Sequence, residues 1–309
     1  MGTRTQRFGT GKRESHDASD FYERFSTPEI SDDDTVQSCS AVDRIICSDA
    51  RSMSEVDDRC VALVVTSPPY YAGKEYEQAL GEGHVPASYV EFLAMLRDVF
   101  AECRRVLEPG GRLAVNVANL GRRPYRSLSA DVIRILEGDL GLLLRGEIVW
   151  QKAKGATGSI AVGSYRSASN PVLRDVTERI IVASKGRFDR AVSRKEREKR
   201  GLPFEDTITK EAFFESTLDV WAIRPEHARR VGHPAPFPVE LPERLIHLYT
   251  YRGDVVLDPF LGSGSTAVAA VRAARHFVGY DTESAYCALA EERVAAEVAV
   301  VPTPGSTEA

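Results

Sequence analysis

From Asp43 onward, short runs of β-branched residues alternate with longer amphipathic stretches, and this alternation limits the possible folds more than any other feature. Predicted strands cover Arg44–Cys47, Val61–Thr66, Arg112–Val117, Gly146–Gln151, Glu178–Ala183, Val255–Asp258 and His276–Tyr280. Predicted helices cover Ser88–Leu107, Ser129–Glu137, Pro242–Tyr249, Thr266–Arg275 and Glu283–Val298. A turn at Pro109-Gly110-Gly111 is expected to close the first helix. The pattern indicates a doubly wound α/β fold.

Composition excludes several classes of protein. The 309 residues are 43% apolar and 28% charged, which is ordinary for a globular enzyme. No apolar run approaches the roughly 18 residues of a membrane span, and the first residues do not resemble a signal peptide, so we expect a cytoplasmic protein with no membrane partner. The five cysteines are scattered and lack C-x-x-C spacing, which predicts neither a metal site nor disulfides.

The motif Thr66-Ser67-Pro68-Pro69-Tyr70 follows directly after an apolar strand. Ligands of open α/β sheets bind beyond the carboxyl ends of strands, so these residues are expected to line a crevice. The two prolines make a rigid turn that presents the Ser67 hydroxyl and the Pro68 carbonyl as acceptors for the hydrogens of an amine. Tyr70 offers a flat face for a planar ring. A stiff turn that merely ends a strand is the alternative interpretation.

A second motif, Asp258-Pro259-Phe260-Leu261-Gly262-Ser263-Gly264, also lies between a predicted strand and a predicted helix. Gly262 and Gly264 allow the backbone to approach a ligand closely, and Asp258 is suited to a cationic amino group. Asp281 lies at the tip of the next predicted strand, where an acid binds ribose hydroxyls. A carboxylate at Asp258 would repel a pyrophosphate, which argues against a dinucleotide fold, and the chain lacks the lysine of a P-loop.

Both motifs resemble those of the amino-type DNA methyltransferases of restriction-modification systems. Ser-Pro-Pro-Tyr comes before the glycine loop, which is the beta-class order, a circularly permuted S-adenosylmethionine-dependent methyltransferase fold. The resemblance runs from about Asp43 to Glu297. It extends to three further segments: Cys47-Ser48-Asp49-Ala50, which is similar to the family's Gly-Asp-Ala, Val149-Trp150-Gln151-Lys152, which is similar to its Trp-x-Lys strand, and Gly232–Val239, which is similar to its His-Pro-x-x-x-Pro-Val.

The resemblance implies that S-adenosylmethionine is the cofactor and that no metal is needed. The residues expected to contact the cofactor are Asp49, Thr66, His233, Asp258, Phe260, Gly262, Gly264 and Asp281. Those expected to act on the substrate are Ser67, Pro68, Pro69 and Tyr70. In the family, serine at the first position usually accompanies methylation of cytosine N4 and aspartate that of adenine N6. Because the two bases present similar hydrogen-bonding edges, adenine stays open as an alternative.

Double-stranded DNA is the expected partner, alongside a separate restriction endonuclease. The net charge of −5 requires a local basic patch, and the run from Lys185 to Arg200 has eight basic residues against three acids. Its predicted DNA contacts are Arg194, Lys195, Arg197, Lys199 and Arg200; a merely solvated helix face is the alternative.

Composition and pattern, together with the resemblance, suggest boundaries along the chain. These are a disordered arm at 1–40, a catalytic half at 41–184, a small target-recognition insertion at 185–232, a cofactor half at 233–298 and a flexible tail at 299–309. Other functions left open are methylation of structured RNA, methylation of protein glutamine, and DNA binding without catalysis. Glutamine methyltransferases are disfavoured because their glycine loop precedes an Asn-Pro-Pro-Tyr motif.

Overall fold

An eight-stranded sheet organises the residues that the structure, a computed structural model, describes, namely 29–69, 88–119, 125–152, 162–226 and 237–300. Its strands are β1 (Arg44–Cys47), β2 (Val61–Thr66), β3 (Leu107–Val117), β4 (Leu143–Gln151), β5 (Thr177–Ser184), β6 (Val220–Ala222), β7 (Val255–Asp258) and β8 (His276–Asp281). Their order is β1-β8-β7-β2-β3-β5-β4-β6. In this sheet β5 runs antiparallel to both neighbours, and the other adjacent pairs are parallel.

Helices connect these strands and pack on the sheet. They are α1 (Tyr89–Val106), α2 (Leu128–Ile133), α3 (Arg194–Lys199), α4 (Lys210–Ser216), α5 (Glu240–Tyr249), α6 (Ser265–Arg272) and α7 (Ser284–Val300), and a π-helical turn, Arg134–Asp139, follows α2. The α/β fold class is confirmed, whereas the permutation relative to other methyltransferases stays a prediction. Among the described residues, no helix is both long and apolar enough to cross a membrane.

Separate hydrophobic clusters lie on the two faces of the sheet. Every residue of β2 is buried, and Val64 belongs to one cluster while Leu63 and Val65 belong to the other. On the first face α1 contributes Phe92, Leu96 and Phe100. The second face is covered by apolar residues of α5 and α6. Strands covered on both faces are continuously apolar, which explains why β2 and β7 were recognisable in the sequence.

The predicted turn at Pro109-Gly110-Gly111 is wrong, because these residues lie inside β3. Val61 pairs with Leu107 and Leu63 pairs with Arg112, so β3 carries a bulge opposite β2. The backbone N–H of Gly110 donates to the carbonyl of Lys185 at 2.8 Å. A Cβ at Gly110 would lie 1.8 Å from the Asp189 carbonyl oxygen, so only glycine fits this close approach.

The chain from Ser31 onward forms one compact unit. Met1–Ile30 forms a second unit, of which the structure describes only Glu29 and Ile30. The arm predicted to be disordered therefore requires a partial correction. Between residues 31 and 40 the backbone N–H of Ser31 donates to Gly186 O at 2.7 Å, and that of Gln37 donates to Arg59 O at 3.0 Å. At the other end, α7 continues to Val300 and includes the start of the predicted tail.

Candidate active site

The carboxyl ends of β2 and β7 meet at the centre of the sheet. The two strands pair in parallel, with Val64 opposite Leu257. From β2 the chain proceeds to β3 on one side, and from β7 it proceeds to β8 on the other. A sheet opens a ligand crevice where its connections diverge in this way. The fold therefore brings Ser67-Pro68-Pro69 and the glycine loop to the same crevice.

Asp258 is the last residue of β7, at the edge of the sheet where the two strands end. Its carboxylate accepts hydrogen bonds from the Thr66 hydroxyl at 2.7 Å, the Thr266 hydroxyl at 2.6 Å and the Phe260 backbone N–H at 3.1 Å. The residue is only 1% exposed. Burial raises the pKa of Asp258 to about 6, although the hydrogen bonds from both threonines oppose that shift. This carboxylate therefore ties β2, β7 and α6 together beneath the loop.

The glycine loop bends across the tip of β8. Gly262 and Gly264 have φ angles of 50° and 81°, in the left-handed region that favours glycine. The Gly262 N–H donates to an Asp281 carboxylate oxygen at 2.8 Å, and the Glu283 N–H donates to the other at 2.9 Å. Burial also raises the pKa of Asp281. Two acids, Asp258 and Asp281, thus lie at one edge, and the Asp281 carboxylate is suited to accept from a ligand hydroxyl.

On the β3 side of the crevice, Ser67 lies near a buried polar network. The Asn116 side chain donates from Nδ2 to Ser67 Oγ at 3.4 Å and to a Glu178 carboxylate oxygen at 2.5 Å. Glu178 also forms an ion pair with Lys152. Asn116 and Glu178 are both buried, while Ser67 is half-buried. These contacts link β3, β4 and β5 to the residue that follows β2.

Asn116 and Glu178 were not predicted from the sequence as part of the site. Glu178 follows Thr177 at the start of β5, and because β5 is antiparallel, this amino end lies beside the carboxyl ends of β3 and β4. A polar residue inside each of two apolar strands was the available signal, but strand order is needed to bring them together.

The remaining predicted contacts vary in position. Asp49 follows β1 and forms an exposed ion pair with Arg51 at 2.5 Å. Phe260 is half-buried in the glycine loop. Pro68 is buried and Pro69 is half-buried. Tyr70 and His233 lie outside the described residues.

Arg197 does not lie on a DNA-facing surface, so its predicted DNA contact is wrong. Its guanidinium is 1% exposed and pairs with Glu108 at 3.2 Å and with Asp254 at 2.9 Å. Arg190 pairs with the same two acids. These four residues form a buried ion cluster. A hydrogen-bonded cation in the interior cannot reach a phosphate.

The exposed cations of the same run lie at the opposite edge of the sheet from the crevice. Glu108 is near the start of β3 and Asp254 immediately precedes β7, so the partners of α3 mark the amino ends of the parallel strands. Several cations are also paired: Arg194 with Asp206 at 3.3 Å, Lys199 with Glu196 at 3.5 Å, and Arg200 with Glu196 at 3.1 Å. Lys195 is exposed. DNA contact by Arg194, Lys195, Lys199 and Arg200 stays a prediction that this placement disfavours.

The crevice suits a positively charged nucleoside cofactor. Asp281 can accept from ribose hydroxyls, and the two acids favour a cation over a phosphate. Gly264 lets the loop pack closely on α7, since a Cβ there would lie 2.8 Å from the Ala290 Cβ. The donor set therefore fits S-adenosylmethionine, which carries a sulfonium and an ammonium group.

Comparison with solved structures gives the class of protein. A DNA modification methylase from Thermus thermophilus, solved with S-adenosyl-L-methionine, is 31% identical, with a TM-score of 0.63 over 84% of this chain and 96% of that one. The PvuII cytosine-N4-specific DNA methyltransferase has the same fold, with a TM-score of 0.62 at 18% identity over 82% of this chain and 86% of that one. Fold and site together define an S-adenosylmethionine-dependent methyltransferase.

The family follows from the sequence comparisons. A model of the DNA methylase family matches residues 61–292, well over half of the chain. Type II methyltransferase M.MjaI of Methanocaldococcus jannaschii is 29% identical over 281 residues, covering 81% of this chain and 90% of that protein. M.HpaI of Haemophilus parainfluenzae is 28% identical over 271 residues, covering 82% and 74%. The chain belongs to the N6/N4 amino DNA methyltransferase family, and its substrate is DNA.

Proposed function

We propose that the protein methylates cytosine N4 at specific sites in duplex DNA. The observation that carries the proposal is a half-buried Ser67 at the carboxyl end of β2, with the Asn116 amide 3.4 Å from its Oγ. Asn116 occupies one lone pair of the hydroxyl. A serine hydroxyl can both accept and donate, so Ser67 suits a base edge on which an exocyclic amine donates beside a ring nitrogen that accepts.

The chain's own residues prepare the amine for attack. Ser67 Oγ and the Pro68 carbonyl accept the two hydrogens of N4, which draws the nitrogen lone pair out of conjugation with the ring. When bound, S-adenosylmethionine supplies an electrophilic methyl group on a positively charged sulfur. The N–C bond forms as the C–S bond breaks, S-adenosylhomocysteine is released, and the surplus amine proton passes to Ser67 or to solvent.

A base inside a duplex cannot reach this crevice, so we infer that the target base is flipped out of the helix. The rigid Pro68-Pro69 turn then holds the acceptors in place while the base enters. We further infer that the methylation protects DNA against a separate restriction endonuclease with the same recognition site.

The test is to incubate the purified protein with S-adenosylmethionine and mixed-sequence duplex DNA, digest the DNA to nucleosides and identify the methylated species by mass spectrometry. N4-methylcytosine is expected. Ser67→Ala should lose most of the transfer while retaining cofactor binding, and Ser54→Ala, at an exposed serine, serves as the matched control.

N6-methyladenine would overturn the proposed base specificity but not the class of enzyme. Absence of a methylated base, with Ser67→Ala indistinguishable from wild type, would overturn the proposed function altogether. Transfer to RNA in parallel reactions without transfer to DNA would do the same.

A further inference from the structure

The loop between β4 and β5 rises from the same edge of the sheet as the catalytic crevice. β4 ends and β5 begins at that edge because β5 runs antiparallel to β3 and β4. At the root of the loop, the Lys152 N–H donates to the Val176 carbonyl at 3.0 Å. Lys152 also pairs with Glu178, which is linked through Asn116 to Ser67. The loop is therefore anchored beside the residue proposed to act on the base.

Residues 162–172 of this loop form an ordered hairpin. Gly163 bridges Pro171, the Ser164 N–H donates to Asn170 O at 2.9 Å, and the Val172 N–H donates to Val162 O at 3.0 Å. Gly163 has a φ of 71°, and a Cβ there would lie 2.2 Å from the Asn170 carbonyl oxygen. Every residue from 165 to 175 is nevertheless exposed. Hydrogen bonds rather than burial hold the hairpin in shape.

The side chains presented by the hairpin and the residues after it suit nucleic acid. Tyr165 is 78% exposed and Leu173 is 94% exposed. Arg166 has a φ of 52°, a conformation that a non-glycine residue holds at a cost in free energy. Local strain of this kind concentrates at functional sites. Within the described ranges, neither Arg166 nor Arg174 forms an ion pair, so both charges are available to a ligand.

The basic run on α3 differs from this loop in its position on the sheet and in the pairing of its charges. Its cations lie at the amino-terminal edge of the parallel strands, and most of them are neutralised by acids. Phosphate binding needs cations that can exchange water and counterions for phosphate oxygens. On placement and pairing alike, the β4–β5 loop is the better candidate for DNA contact.

We propose that the hairpin 162–172, together with Arg174, docks the DNA backbone beside the flipped base. Arg166 and Arg174 contact phosphates that flank the target nucleotide, and Tyr165 packs against an adjacent sugar or base. The proposal rests on the proposed function, since it names the surface that presents duplex DNA to the Ser67 crevice.

The test measures binding of a fluorescein-labelled DNA duplex by anisotropy at several salt concentrations. In the double variant Arg166→Asn and Arg174→Gln, asparagine tolerates the left-handed backbone and glutamine removes the second charge. Losing two phosphate contacts should weaken binding roughly tenfold or more and reduce the slope of log K against log salt by about two. Cofactor binding and the melting temperature should stay at the wild-type values.

A matched double variant, Lys195→Gln with Lys199→Gln, removes the same amount of charge at the opposite edge and should leave DNA affinity unchanged. Gly163→Ala should weaken DNA binding without altering charge, since it disrupts the hairpin. Wild-type affinity in the Arg166/Arg174 variant would overturn the inference, as would a loss confined to the Lys195/Lys199 variant. A defect seen with an RNA duplex but not with DNA would also overturn it. If the proposed function fails instead, the wild-type protein will bind DNA without methylating it. This result distinguishes failure of the proposed function from failure of the docking inference.

Discussion

At the scale of single residues, Asp258 combines a structural and an electrostatic role. It accepts three hydrogen bonds in a site from which solvent is excluded, and burial raises its pKa to about 6. Compared with the unfolded chain, the fold therefore favours the protonated acid between about pH 4 and pH 6, whereas at pH 7 the folded Asp258 is mainly ionised. Such a group stabilises the fold below its unfolded pKa of about 3.9, and that contribution is lost as pH rises through the folded pKa.

The first prediction concerns Asp258→Asn and pH. Asparagine can accept from Thr66, and its amide can donate to Thr266, whose hydroxyl has the Val65 carbonyl as an alternative acceptor at 3.4 Å. Between about pH 4 and pH 7 the wild type should lose roughly 3 kcal/mol of stability relative to the variant. Urea unfolding of both proteins across this range measures the difference. Parallel stability curves for the two proteins would show that Asp258 is ionised in the fold throughout.

A second prediction compares two glycines with similar backbone conformations. Gly264 has a φ of 81°, and a Cβ there would lie 2.8 Å from the Ala290 Cβ, whereas Gly141 has a φ of 62° and open space around it. Alanine at position 141 should cost about 1 kcal/mol of unfolding free energy through strain alone. Alanine at position 264 should cost distinctly more and weaken cofactor binding, because α6 and α7 must separate. Equal losses in denaturant unfolding would argue against the close contact.

At the scale of secondary-structure elements, the direction of β5 completes the catalytic pocket. Its amino end brings Glu178 between Asn116 and Lys152, both of which donate to the carboxylate. A buried carboxylate is tolerated only when it is paired in this way. The network orients Asn116 toward Ser67.

The third prediction is that Glu178→Gln lowers kcat about tenfold while the cofactor Kd stays unchanged. The glutamine side chain has one acceptor oxygen, whereas Asn116 and Lys152 both donate to the carboxylate of Glu178. One of these two donors therefore loses its contact with residue 178. Glu147→Gln, at an exposed position on β4, is the control. Steady-state methylation kinetics with cofactor titration separate the two effects. A variant with normal kcat would limit Glu178 to a structural role.

The fourth prediction concerns α3, which is attached to the sheet through Arg197. Removing one partner from a buried ion cluster leaves an uncompensated charge, so Arg197→Met should lose about 3 kcal/mol of unfolding free energy. Lys195→Met, on the same helix but exposed, should change it by about 0.5 kcal/mol or less. Urea unfolding distinguishes them. Weaker DNA binding by Arg197→Met at unchanged stability would restore the original assignment.

At the scale of the whole molecule, the two edges of the sheet have different tasks. The carboxyl edge carries the crevice, the Ser67 network and the β4–β5 hairpin, while the amino edge carries the buried ion cluster and the basic helix. The net charge of −5 says little about DNA affinity, since the arrangement of charge decides where a polyanion binds.

The fifth prediction is that the cofactor stabilises the whole fold. At 100 times its Kd, S-adenosylmethionine should add about 2.7 kcal/mol to the unfolding free energy and raise Tm by several degrees. ATP at the same concentration should have little effect, because Asp258 and Asp281 repel its phosphates. Thermal melts with each ligand measure this. An equal shift with ATP would contradict the assignment of the two acids.

Most of the fold was predictable from the sequence because periodicity is local. The strands around β2 and β7 were recognisable as apolar runs, and both motifs were correctly placed at the carboxyl ends of these strands. The bulge at Gly110 was not predictable, because it depends on the approach of Asp189 from a distant segment. Strand β6 was also missed, since its three residues carry too little pattern to separate from a loop.

The sequence by itself determined the chemistry of the site: a hydroxyl after one strand, an acid and two glycines at the end of another, and a second acid at the next strand tip. Only the tertiary structure decided which charged side chains surround that site. The reversed direction of β5 brings Glu178 and the Arg166 hairpin to the catalytic edge and carries Arg197 to the opposite one. Strand direction is set by packing across the whole sheet, which no short stretch of sequence encodes.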